Sequence, residues 1–149
     1  MMLDFAGLWG KALTFDEFVA ASVKQRGLWE GLHRIAVVPA WAIAAVPPGV
    51  KRKLLVIAED WCGDASSTIP VLARLVEAAP GLELRIIHRD EHPEVMDHYL
   101  TSGSRSVPIV IALDEDFREL GHWGPRPGVL QAWVMANRLT VPRAELYPQ

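Results

Sequence analysis

Along the first 50 residues, apolar positions recur at helical spacing. Thr14 precedes Phe15, Phe18, Val19 and Val23, and Glu17 stands three places after it, so the pattern predicts a capped amphipathic helix over 14–26. A further helical stretch is predicted through Leu28, Trp29 and Leu32. Pro39 can open a short helix over 40–46, which Pro47, Pro48 and Gly49 close. After Lys51 the period changes. Leu54-Leu55-Val56-Ile57-Ala58 is an unbroken apolar run of strand length, the mark of a strand buried on both faces. A helix over 66–79 follows, with Ile69, Leu72, Ala73, Leu75 and Val76 on one face and Pro80-Gly81 ending it; 82–87 then reads as a second strand. Pro93 starts a helix that includes Val95, Met96, Tyr99 and Leu100 and is stopped by Gly103. Ile109 to Leu113 is a third apolar strand, Asp114-Glu115-Asp116 a polar turn, and Phe117 to Trp123 its hairpin partner. Val129, Leu130, Trp133 and Val134 mark a last helix. The predicted order from Leu54 is β-α-β-α-β-β-α, an α/β class.

Composition narrows the function. The chain has 149 residues, half of them apolar, with a mean hydropathy of +0.14, which suits one packed domain and excludes a disordered tail. A net charge of −3, with no block of Lys or Arg, argues against a nucleic-acid binder. The apolar run over 35–46 is broken by Pro39 and falls short of the ~20 residues a membrane helix needs. Residues 1–13 lack the basic and apolar blocks of an export signal, and one cysteine excludes an internal disulfide, so the cytoplasm is the expected location.

The sharpest chemical feature is Trp61-Cys62-Gly63-Asp64-Ala65, between the buried strand and the next helix. Helix N–H groups and aligned peptide dipoles favour a thiolate at such a position, while Asp64 opposes it; the sequence leaves the sign of the balance open. The plain alternative is that Cys62 is a small buried apolar residue. Its place at the carboxyl end of a parallel strand, where ligands gather in α/β sheets, favours an accessible thiol. A weaker feature is Ser106-Val107-Pro108, where a proline opening a strand is compatible with a cis bond that leaves Val107's backbone able to pair with an extended ligand. Glu59 and Asp60 are expected to be solvated acids, Asp90 to cap or precede the helix at Pro93, and Trp9, Trp29, Trp41 and Trp133 to be packing anchors. His88, His92 and His98 lack metal-ligand spacing, so no metal is expected.

These two features together resemble the thioredoxin family over residues 54–138: a buried strand, Trp-Cys-Gly-x-x at a helix N-terminus, and x-Pro opening an antiparallel pair. Arg89-Asp90-Glu91, residues 96–100, Ser104-Arg105-Ser106-Val107-Pro108 and Trp123-Gly124-Pro125-Arg126 resemble a single-cysteine bacterial branch that carries Trp-Cys-Gly-Asp-Ala. The resemblance implies a three-layer α/β/α thioredoxin-like fold with a central mixed sheet over 51–149, a helical extension over 1–50, and a cis Pro108 facing the reactive centre. Two departures stand out. Ala65 replaces the family's second cysteine, and Val56 occupies the place of its buried acid, six residues before the nucleophile.

What survives is attack by one thiol to form a mixed disulfide that an outside thiol resolves. The expected partner is a protein or small-molecule thiol or disulfide. No bound cofactor is expected, and glutathione or another low-molecular-weight thiol is the candidate co-substrate. In this expectation Cys62 is the nucleophile, Trp61 the rim, Gly63 the point of close approach, and Val107 beside Pro108 the backbone clasp. Arg105 and Arg126 are candidate counter-charges for a thiolate or a carboxylated thiol, the plain alternative being solvated loop residues. Ser-Val-Pro resembles the Thr-Val-Pro of glutaredoxins, which favours glutathione. Two other readings compete: a thioredoxin-fold binding module that has lost turnover, and peroxide reduction through a sulfenic acid on Cys62.

Overall fold

The computed structural model describes residues 3–46 and 49–124. Strand β1 (Arg52–Ala58) forms because its apolar run can be buried on both faces. It pairs in parallel with β2 (Leu82–His88) and antiparallel with β3 (Ile109–Leu113), which pairs antiparallel with β4 (Glu119–Trp123). The order is β2-β1-β3-β4, a mixed sheet.

Helices cover both faces. On one side, α2 (Phe15–Ala21), α3 (Arg26–Ile35), α4 (Ala40–Ala44) and α5 (Gly63–Ala78) pack Phe18, Trp29, Ala42 and Ile69 against Leu54, Val56 and Val110. On the other, α1 (Phe5–Lys11) and α6 (Pro93–Met96) bring Trp9, Val95 and Met96 onto Leu55, Ile57, Ile109 and Ile111. The result is three layers, in which the helices of the first 50 residues share a core with the sheet. Each fully buried Leu, Ile or Phe in it contributes roughly 1.5–3 kcal/mol of transfer free energy.

Several boundaries depart from the sequence expectation. Helix α1 was not anticipated; the Asp4 carboxylate accepts the Gly7 N–H at its start. Thr14 and Glu17 form the expected capping box, but α2 ends at Ala21, where Ser22 Oγ turns back to the Phe18 carbonyl. Val23, placed on the core face by periodicity, is therefore 89% exposed. The helix at Pro93 is a single turn, because Tyr99 is drawn to Glu119 and Asp97 to Arg105 beyond it. Asp90 precedes that helix, as expected, without capping it: it lies in a 3₁₀ turn, Arg89–Glu91, and pairs with Arg89. Helix α5 begins at Gly63, three residues early. The last helix, Trp133 and Arg126 lie outside the described residues.

Helix α3 is tied to α5 by His33 Nε2 and Glu77 Oε2. Partial burial pushes the Glu77 carboxyl up, but the bonds and charges of His33 and Arg74 together outweigh it and hold the group below the usual carboxylate value. A depressed acid contributes stability that is present above its unfolded pKa and lost as pH falls through the folded one. The urea midpoint of Glu77→Gln should therefore lie below wild type near about pH 6 and converge with it near about pH 3. A gap that stays constant with pH would exclude this link.

Candidate functional site

Strand β1 ends at Ala58, and residues 59–62 turn the chain into α5. Cys62 is the N-cap of α5 with φ −80° and ψ 119°, and its side chain makes no cap bond. Its N–H donates to the Glu59 carbonyl at 3.3 Å, and its own carbonyl accepts the Ser66 N–H at 2.9 Å. The Sγ is thereby left at the positive end of a 16-residue helix. It is partly exposed and donates to the Val107 carbonyl at 3.4 Å. The Val107–Pro108 peptide bond is cis, and both residues are buried.

A cleft of about 550 Å³ opens over the thiol, lined by Trp61, Cys62, Asp64, Arg89 and the segment Ser104 to Val107. Trp61 is 41% exposed at its rim, with the Arg89 guanidinium 4.9 Å from its ring centre. Arg89 also donates to Asp90 Oδ1 and to the Arg105 carbonyl, both at 3.0 Å, so it bridges the two walls. Arg105 reaches the same cleft, but its fork grips Asp97 at 2.9 and 3.1 Å. The Asp97 bond and charge raise the Arg105 pKa further, and the Arg105 charge is already matched. Asp64 stands in the first turn of α5, and Ala65 is fully buried behind it. A Cβ on Gly63 would meet open space, so the chain itself does not require glycine there.

Three contributors differ from the sequence expectation or lie outside it. Glu59 and Asp60 are not solvated acids. Glu59 is 7% exposed, with Oε1 against His88 Nδ1 at 3.2 Å and Oε2 accepting the Asp90 N–H at 3.0 Å. Asp60 Oδ2 accepts the N–H groups of Val23 and Lys24. The partners lie 29 to 37 positions away, so no local pattern could expose them. The third is Gly124, with φ +130°, whose missing Cβ leaves room for the Pro108 carbonyl. Among the described residues no group of three or more His, Cys, Asp or Glu converges as a metal site, and no helix is long and apolar enough to cross a membrane.

A family model described as Thioredoxin matches residues 12–140. The chain belongs to the thioredoxin family. Its match begins before the helices α2 to α4, so these lie inside the family region. No curated protein matches the chain. A 1.5 Å crystal structure of a protein of unknown function, PA1234 from Pseudomonas aeruginosa, superposes with a TM-score of 0.75 at 23% identity, over 97% of this chain and 86% of that one. A crystal structure of an HIV epitope-scaffold gives 0.75 at 24% identity, over 97% and 88%. At these identities the likeness establishes the thioredoxin-like fold and no activity. At the place of the family's buried acid, Val56 is fully buried between Ile86 and Val110; among the described residues, Glu59, directly after β1, is a buried carboxylate.

Proposed function

We propose that the protein forms mixed disulfides through Cys62, as a single-thiol exchanger whose partner is a protein or low-molecular-weight disulfide. The observation that carries this reading is a partly exposed Sγ at the N-terminus of α5, 3.4 Å from the Val107 carbonyl, in an open cleft. The thiolate attacks one sulfur of R–S–S–R′, forming Cys62–S–S–R and expelling R′S⁻. A second thiolate, R″S⁻, then attacks the sulfur of R and restores the Cys62 thiolate, leaving R–S–S–R″. No internal thiol can do this, since the chain has one cysteine. The external thiol is glutathione or one like it, and no bound cofactor takes part. In this reading the Val107 backbone clasps the partner, Pro108 closes that wall, and Trp61 forms the rim. Arg105, held by Asp97, keeps the Ser104–Val107 wall in place, and Arg126 is the remaining candidate for a carboxylate on the thiol.

Incubation of the folded protein with glutathione disulfide or 2-hydroxyethyl disulfide, read by intact mass, tests this. One adduct is expected on wild type and none on Cys62→Ser, with release by added thiol. If the native thiol forms no adduct and reacts only after unfolding, the reading fails and a non-catalytic binding module replaces it. Such a module would keep its partner affinity in Cys62→Ala.

A further inference from the structure

The segment that carries the thiol is held from both sides by acids that take no part in the exchange steps proposed above. On one side Glu59 joins it to His88 and to the Asp90 amide. On the other, Asp60 reaches the turn between α2 and α3. Its Oδ2 accepts the successive N–H groups of Val23 and Lys24 at 2.9 and 3.0 Å. That turn is shaped to present them: Gln25 sits at φ +58°, in the left-handed region a side chain seldom enters. Two consecutive amides aimed at one oxygen form a small anion-binding concavity, and this chain fills it with its own carboxylate. The Asp60 backbone is held as well, because the fully buried Trp29 donates its indole N–H to the Asp60 carbonyl at 2.9 Å. Asp60 thus makes three bonds to the segment 23–29, one residue before the Trp61 rim and two before Cys62.

We propose that Asp60 is a positioning residue for Cys62: by latching the reactive loop onto the α2–α3 turn, it makes the N-terminal helices part of the thiol's setting. The inference rests on the mixed-disulfide reading above. A loop freed on that side keeps its thiol but loses the fixed approach over Val107, and errors of about 1 Å in such placement can cost on the order of a hundredfold in rate.

The test compares Asp60→Ala with Asp60→Asn. Both remove the same charge, so its electrostatic effect on the thiol is common to them; only alanine removes the acceptor oxygen. The readouts are amide exchange at Val23 and Lys24, and the limiting rate of mixed-disulfide formation with 2-hydroxyethyl disulfide at high pH. Asp60→Ala should lose protection at both amides and react about tenfold slower or worse, while Asp60→Asn should recover most of both. Equal limiting rates in the two variants, with protection lost only in alanine, would overturn the positioning role and leave the function standing. A wild-type thiol that forms no adduct while folded overturns the function, and the positioning role falls with it. Should Asp60→Ala not fold, Trp29→Phe removes the indole donor and keeps a ring in the core. It should slow the limiting rate severalfold, and a wild-type rate there would equally sink the proposal.

Discussion

Trp29→Ala should cost about 3–5 kcal/mol, the range for removing a fully buried large aromatic side chain. The residue is 0% exposed, tilts against Phe18 with ring centres 4.9 Å apart, and lies 6.3 Å from Phe15. Its loss opens a cavity where α2, α3 and α5 meet, and removes the donor to Asp60 as well. Native domains have only about 5–15 kcal/mol to lose, so the variant should be close to unfolding at ambient temperature. Urea denaturation with the slope compared to wild type measures this. A loss below about 1 kcal/mol would mean that the N-terminal helices contribute little to the common core.

The second large effect is expected at Gly124. At φ +130° an L-residue is strained wherever it sits, and an added Cβ would also be driven onto the Pro108 carbonyl, 3.1 Å from Ile109 Cα. Gly124→Ala should lose about 2–3 kcal/mol and, because the strain is relieved by moving the Val107–Pro108 wall, slow adduct formation at Cys62. Gly63→Ala is the contrast: its new methyl meets nothing, and alanine is the better helix former by about 1 kcal/mol. If Gly124→Ala melts and reacts like wild type, the close approach to Pro108 has no role in shaping the cleft.

The strands were the most legible part of the chain. Leu54 to Ala58 and Ile109 to Leu113 are buried on both faces, so unbroken apolar character betrays them without reference to partners. Thr14 and Glu17 announced a helix start because the capping box is local. What failed was set by distant contacts. Val23 fits the helical period but belongs to the turn that Asp60 captures from 37 residues away. Tyr99 and Leu100 continue the helical pattern after Pro93, yet the Tyr99 hydroxyl leaves it for Glu119, where burial and that carboxylate push the phenol's pKa well above its ordinary value. At the site, Cys62 and the Val107–Pro108 wall were legible from their place before a helix and before a strand. Arg105 reads in the sequence as a candidate counter-charge for the thiol, because its partner Asp97 lies across a loop reversal. Glu59 and Asp60 look like ordinary strand-end acids until the fold brings amides to them.

One bridge in the sheet bears on how copies of this protein behave towards each other. Leu13 and Ile86 exchange both backbone bonds, N–H to carbonyl at 2.9 and 2.7 Å, on the outer side of β2. Arg85 adds a bond to the Trp9 carbonyl and lays its guanidinium over the Trp9 ring. An open strand edge is a template on which another chain can extend the sheet, the first step of aggregation. Here that edge is already occupied at Ile86, in the antiparallel sense, by the link between α1 and α2, so the backbone groups of Ile86 are not open to a strand from another copy.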